Sequence, residues 1–589
     1  MADFSKQRDQ TTKLVKKVGD RAVDLQTVST KHVSRYFTRR VGHIGGVRRF
    51  VASWLLLVIL LCFASAATVL QLMKSAEASA PAPGGTYTEG LVGQVNNLNP
   101  LFSSGSIDDS VSSLVFNGLL RYDTNGELVG DLATDWRVDD THQNYVLNLR
   151  RNIRWHDGQP FTAQDVVYTI GAIQNPDTRS SLFASWQGVK VVAVNDYQVR
   201  FELPAPFAPF TNALTVSILP KHLLSDIPYA KLRTSSFNTQ PVGTGPFVFA
   251  ALRSSQPKEQ QVELKQNEEY YRGAPKLDRF VLHGYQDDEH LAEALEHREI
   301  TAAVDLKTDT AEDFNKDKSI RLAQIPLNSG VFAFFKTSNP ILSDANIRSA
   351  LAEAVDRQTI LKLFKYQYAP LKTPLLPSQL GYDSSFAQQT NIADAEAKLD
   401  AAGWVKQANG KRMKDGVPLE LGLTTADSAQ YSALAADLQK QWAAIGVTIK
   451  PQLLTSEQLQ QNALNAHAYD ILLYGISIGY DPDVYAYWHS SQARQGGLNF
   501  SDWKSGRADS SLEVARTRLE PVLRAARYKT FQDEWKKMTP AVALYQPRVS
   551  YAYHQNATGF VVFPVTTSAQ RLTNVEEWTV NTKSVKQTP

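Results

Sequence analysis

Residues 155–169 read WHDGQPFTAQDVVYT. Asp157-Gly158 is a turn signal, because glycine takes positive φ without strain. Thr162 is placed as a helix N-cap, and Asp165 three residues later completes a capping-box-like pair. Val166, Ile170 and Ile173 then fall on one apolar stripe at helical spacing. Upstream, Tyr145, Leu147 and Leu149 alternate with polar residues, so Tyr145–Arg150 is expected as a strand running on to Arg154-Trp155. The unit is therefore strand, turn, capped helix. The adjacent His156-Asp157 invites a catalytic or metal reading. Metal phosphohydrolases use such a pair on a helix, supported by further histidines. Here it precedes a glycine turn, and the nearest other histidines, His142 and His222, sit in loop-like settings. A scaffold role is the expectation.

The same grammar continues outward. Val189–Val194 and Gln198–Leu203 read as a strand pair around Asn195-Asp196. Ala345–Phe364 reads as one helix capped by Asp344. Ala393–Ala402 reads as a helix closed by Gly403, and Tyr431–Ile445 as one closed by Gly446, followed by the strand Val447–Ile449. Strands and helices interleave throughout, which implies α/β lobes.

The chain has 589 residues, 43% of them hydrophobic and 21% charged. That is too long for one compact core, so two to four lobes are expected. The net charge is +3, but residues 1–50 alone carry twelve Lys/Arg against four Asp, which leaves the rest at −5. A body of that sign does not suit nucleic acid. Val51–Met73 is a 23-residue run without charge, about 34 Å long as a helix against a hydrocarbon core of about 30 Å. Arg39, Arg40, Arg48 and Arg49 precede it, so the N-terminus is expected in the cytoplasm and the body extracellular or periplasmic. The run is too long for a secretory h-region, and Pro81 follows Ala78-Ser79-Ala80 at once, which disfavours cleavage. A single-pass signal anchor over 51–73 is expected, behind a basic tail over 1–50 and before a linker over 74–85. Cys62 is the only cysteine, so the body has neither disulfides nor thiol chemistry.

Signatures of chemistry are few. Gly475-Ile476-Ser477-Ile478-Gly479 fits the Gly-x-Ser-x-Gly nucleophile elbow after an apolar strand, Asp470–Tyr474, with His489 and His554 downstream. Pro482 interrupts the place where the elbow's helix should begin, so a strand-to-loop turn is expected. No His-Glu-x-x-His, cysteine cluster or phosphate loop is present. Gly243-Thr244-Gly245 lacks the third glycine of a dinucleotide site and is read as a backbone turn. Asp481-Pro482-Asp483 could hold a cation, but a capped turn is expected. Tyr474, Tyr480, Tyr485, Tyr487 and Trp488 crowd the same region, a composition suited to small-molecule recognition. No cofactor and no metal are expected.

Ten segments in order resemble one family, the family 5 extracellular solute-binding proteins, which are the oligopeptide-, dipeptide- and nickel-binding subunits of ABC importers. They are Leu98-Asn99-Pro100, Val115–Leu119, Leu132–Trp136, Tyr145–Val166, Ile218–His222, Pro241–Phe247, Asn267–Asp278, Asp344–Arg357, Ala401–Trp404 and Gly479–Asp483. The resemblance implies an α/β, two-lobed, type II periplasmic-binding-protein-like fold with an extra inserted domain, here preceded by one N-terminal transmembrane helix. By analogy, lobe I comprises 86–122, 221–326 and 544–589, the inserted domain 123–220, and lobe II 327–543. It implies that closure around a ligand signals to the permease and its ATPase subunits, and that no bond is made or broken. The partners expected are a peptide or related small solute and the membrane, with no nucleic acid, and the protein is expected to be a monomer. The expected ligand-binding residues are Phe102, Ser103, Ser104, Tyr474, Gly475, Ile476, Ser477, Tyr480 and Asp481. The family's peptide binders place an acid before the Asp-Pro turn, against the peptide amine. Here Ile478 or Gly479 stands near that place, so either Asp481 substitutes or the ligand lacks a free amine. The alternatives are a hydrolase using Ser477 or His156/Asp157, and an anchored scaffold of the same fold.

Overall fold

The computed structural model describes residues 48–75, 77–256, 259–314, 316–365 and 367–586. Two compact units divide the chain: Met1–Ala80 with Lys583–Pro589, and Pro81–Thr582. In the first, Arg48–Ser75 is a helix of 28 residues, with Trp54 and Phe63 among its exposed side chains. Its described side chains are those of 51–66 and Thr68. Among the described residues no helix stretch is long and apolar enough to cross a membrane. Of the basic tail expected over 1–50, residues 1–47 lie outside the described residues and 48–50 begin the helix Arg48–Ser75. The expected linker is not wholly irregular: Glu77–Ala82 is a strand that pairs with Asn581–Lys586.

Among the described residues, three larger sheets organise the second unit beside two small ones. A seven-stranded sheet runs in the order Ile320–Pro326, Arg548–His554, Ala302–Val304, Thr86–Val92, Arg279–Tyr285, Glu259–Gln266, Phe247–Gln256. A six-stranded sheet runs Ala369–Pro370, Ala541–Gln546, Ser329–Phe335, Ile471–Ser477, Glu420–Ala426, Thr448–Leu454. A four-stranded antiparallel sheet, Ala133–Val138, Asn144–Leu149, Gln198–Glu202, Lys190–Asn195, carries the opening stretch. Among the described residues the chain passes between the two large sheets at two short places. One is Leu327-Asn328, after Ile320–Pro326, and the other is Pro547, after Ala541–Gln546. The crossings touch, since Leu327 N–H donates to the Pro547 carbonyl at 2.9 Å. Two lobes joined by paired short crossings form a hinge. Ala541–Gln546 lies whole in the six-stranded sheet, and the lobe boundary expected at 543/544 falls inside it. A cut inside the strand would break its ladder with Ser329–Phe335.

Period-two patterning explains why the six-stranded sheet is central in its lobe. Val331, Ala333 and Phe335 pack into one buried cluster, while Phe332 and Phe334 pack into another on the opposite face. The expected helix Ala345–Phe364 is in fact two, Ala345–Glu353 and Arg357–Leu363. Asp356 leaves helical geometry to cap the second, accepting from Gln358 N–H, while its own N–H is taken by the Gln441 side chain. The strand Asn144–Leu149 ends before Arg154, which makes only an isolated bridge to Pro160. The capping box at Thr162/Asp165 is present, with Thr162 N–H donating to Asp165 at 2.8 Å.

Candidate functional site

The segment after Ile471–Ser477 lies against the first crossing. Ser477 pairs in register with Ser329, and the N–H groups of Ile478 and Gly479 both donate to the Asn328 carbonyl, at 2.9 and 3.0 Å. Gly479 has φ +80°, a conformation glycine tolerates. Ser477 is therefore the last residue of a strand, and the next helix, Tyr485–Trp488, is a single short turn. A nucleophile elbow needs a strand that turns directly into a helix. His489 is engaged by Ser491 and Glu513, and His554 by the Leu295 carbonyl. Among the described residues neither bonds Ser477. The strand-to-loop turn expected at Ser477 is what the backbone forms.

His156 and Asp157 are taken up by the scaffold. His156 Nδ1 accepts from Gly243 N–H at 3.2 Å, and Nε2 faces the Gly245 carbonyl at 3.0 Å. Burial pushes the imidazole down to about 4. It is therefore neutral near pH 7, with the proton on Nε2. Asp157 pairs with His222 at 2.7 Å. The glycine pair has its own reason. A Cβ on Gly243 would stand 1.8 Å from the Val115 carbonyl oxygen, and one on Gly245 would stand 2.5 Å from that of Leu114. Only bare backbone fits.

The sequence-derived binding residues fall into two groups. Tyr474, Gly475, Ile476, Ser477, Tyr480 and Asp481 lie together on lobe II. Ile476 is buried, and Tyr474 sets its ring edge-on to Phe500. Gly475 leaves room for the Tyr431 hydroxyl, which would lie 3.1 Å from an added Cβ. The Ser477 carbonyl accepts from the Tyr487 hydroxyl at 2.8 Å. Phe102, Ser103 and Ser104 make their described contacts within lobe I. The Arg233 guanidinium lies 4.5 Å over the Phe102 ring, Ser103 donates to Asp109 at 2.8 Å, and Ser104 N–H donates to Asp108 at 3.2 Å. No described contact joins the two groups.

The contacts that do cross involve residues the sequence reading missed. Tyr480 stacks on Tyr122 with ring centroids 3.6 Å apart. Arg516 lies between two rings, Phe207 at 5.0 Å from the inserted domain and Tyr485 at 4.2 Å from lobe II. Its carbonyl accepts from Ala208 N–H at 2.6 Å. The two aspartates of Asp481-Pro482-Asp483 do not form a cation pair, because Arg524 holds Asp481 at 2.7 Å and Arg516 holds Asp483 at 3.0 Å. Asp481, one of the two alternatives for the missing amine-anchoring acid, is thus already paired with Arg524. No local pattern marks Tyr122, Phe207 or Arg516, since Tyr122 meets Tyr480 and Phe207 meets Arg516 across more than three hundred residues.

Two α/β lobes joined at paired crossings, with aromatic contacts between them and a polar strand end beside the first crossing, offer a cleft suited to a small ligand. Residues 127–497 match the family model for bacterial extracellular solute-binding proteins, family 5. The oligopeptide-binding protein AppA of Bacillus subtilis is 28% identical over 89% of this chain and 97% of its own length. Its structure, solved with a nonapeptide, covers 85% of this chain and all of its own at 25% identity and a TM-score of 0.67. NikZ of Campylobacter jejuni, solved with Ni(L-His), covers 84% of this chain and 99% of its own at 29% identity and a TM-score of 0.69. The chain belongs to the family 5 bacterial extracellular solute-binding proteins.

Proposed function

We propose that the protein is the substrate-binding subunit of an ABC importer, taking peptides between its lobes and presenting the closed form to a permease with its ATPase subunits. One observation carries the reading: two lobes of a family 5 fold meet at paired crossings, Leu327-Asn328 and Pro547, with the polar end of the strand Ile471–Ser477 against the first. Extended peptides suit such a site, because backbone groups at a strand end bond ligand backbone of any sequence. Phe102, Ser103, Ser104 and Tyr474–Ser477 with Tyr480 wall the cleft, while Asp481 acts through its pair with Arg524. The relatives support binding without bond chemistry, and the protein is read as a monomer.

The anchor belongs to the same proposal. Val51–Met73 spans the membrane once, with residues 1–50 cytoplasmic and the body extracytoplasmic. Tethering keeps the receptor at high effective concentration beside its importer. Native mass spectrometry of the protein purified in detergent is expected to find co-purified peptides. A metal chelate, or no solute at any concentration, would overturn the peptide reading, and the second outcome would favour a scaffold. Intact mass of the N-terminus tests the anchor, since loss of residues up to the Ala78–Ala80 region means cleavage.

A further inference from the structure

We propose that Lys365 of lobe II, bridged to Asp309 and Glu312 of lobe I, is an electrostatic latch that favours the closed lobes and weakens as salt rises. The proposal rests on the lobe closure of the solute-binding reading above.

The bridge crosses the lobe boundary. Asp309 and Glu312 lie on the helix Thr308–Phe314, ahead of the first crossing at Leu327-Asn328. They are three residues apart, so they share one face of that helix. Lys365 follows the helix Arg357–Leu363, beyond the crossing. Its Nζ lies 2.8 Å from Asp309 and also meets Glu312. Among the described residues no other cation pairs with either carboxylate. The third acid of the helix, Asp313, is taken by Lys316 of its own lobe at 2.9 Å. One ammonium of lobe II therefore serves two carboxylates of lobe I.

The backbone at Lys365 adds a second observation. Its φ is +51°, in the left-handed region that glycine ordinarily fills just past a helix end. A lysine there accepts strain that glycine avoids, and the bridge to lobe I is what its side chain gains. The bridge also coexists with the other contacts between the bodies, Tyr122 on Tyr480 and Phe207 on Arg516. It belongs to the same arrangement of the lobes.

The strength suits a latch and not a lock. Lys365 and Glu312 are each 42% exposed and Asp309 is 88% exposed. Exposed ion pairs are weak, and dissolved ions screen them. Unlike the two covalent crossings, such a link opens easily, so it biases the lobes without fixing them. The plain alternative is a surface ion pair without consequence, which requires no response of the lobes to salt.

The test uses the full-length protein in a neutral detergent, with Cys62→Ser and one spin label in each lobe, at Glu296→Cys and Lys440→Cys, both exposed positions. Electron-spin distance measurements then give the ratio of closed to open lobes without ligand. That ratio should fall about two- to fivefold between about 0.01 M and about 1 M salt. Lys365→Gln should show the high-salt ratio at low salt and lose the salt dependence. Asp309→Asn with Glu312→Gln should do the same from the other lobe. Exchanging the charges, Lys365→Glu with Asp309→Lys and Glu312→Lys, should restore both in part. A mixed tripeptide library added to the parent should shorten the distance. If the library shortens it but neither salt nor Lys365→Gln changes the ratio, the latch is overturned and the solute-binding reading stands. A salt dependence that survives Lys365→Gln overturns the latch too. A distance that nothing moves overturns both readings.

Discussion

His156 shows how one side chain can look catalytic and act as a brace. Each ring nitrogen meets a backbone group of Gly243 or Gly245, so the imidazole pins the inserted domain to a loop that itself crowds Val115. The pH dependence follows from its depression to about 4, caused first by burial. The fold prefers the neutral ring, so the unfolded chain binds the extra proton between the ordinary value near 6.5 and 4. The contribution is complete above about pH 6.5 and fades as pH falls toward 4, by roughly 2–3 kcal/mol. Urea unfolding of the parent and of His156→Ala at pH 7.5 and pH 4.5 measures this. The variant should be less stable at pH 7.5 by about 1–3 kcal/mol, from two lost buried bonds. The gap should shrink at pH 4.5, and solute binding should be nearly unchanged. A gap that does not vary with pH would contradict the assignment of a neutral ring.

Elements were legible in the sequence where their causes are local. The capping box at Thr162/Asp165 and the helix ends at Gly403 and Gly446, with φ +85° at both, are contained in a few adjacent residues. The break at Asp356 was not legible, because an unbroken apolar stripe hides it and Gln441, far along the chain, supplies the competing bond. Nor was the strand through Ser477, whose ladder partner Ser329 lies far away. The fold class and lobes followed from pattern and resemblance, whereas the contacts across the cleft depend on long-range register. The same holds for the tie between the strand Thr86–Val92 and the segment Ser568–Glu577. Glu89 and Arg571, both fully buried, meet there, with Nε to Oε1 at 3.0 Å, and Arg571 also donates to the Ser568 carbonyl. Burial beside Glu89 holds the Tyr87 and Tyr551 phenols well above their ordinary range. Arg571→Met leaves a buried carboxylate unpaired and should cost about 3–5 kcal/mol. Adding Glu89→Gln should recover much of that. Thermal midpoints of the single and double variants decide it, and a double variant as unstable as the single one would mean that packing of the arginine stem, not charge, dominates.

At the scale of the whole molecule, the turn Gly479–Asp483 reaches both lobe I and the residue that meets the inserted domain. Its Tyr480 touches Tyr122 of lobe I, and its Asp483 holds Arg516, which lies on Phe207 of the inserted domain. Burial raises the Asp483 carboxyl above its ordinary value, and Arg516 offsets that. A planar cation between two rings is worth roughly 0.5–2 kcal/mol, and an equilibrium between open and closed lobes responds to a difference of that size. Arg516→Ala removes the stack across the cleft and leaves Asp483 without its partner. The ligand-free protein should then spend more time open, read as a larger radius of gyration in solution scattering. Apparent solute affinity should fall about tenfold, because the competent state is less populated. Arg516→Lys separates the causes. It keeps the charge beside Asp483 but loses the planar stack, so it should restore stability more than closure. If both variants scatter like the parent and bind as it does, Arg516 holds only its own lobe together and closure is governed elsewhere.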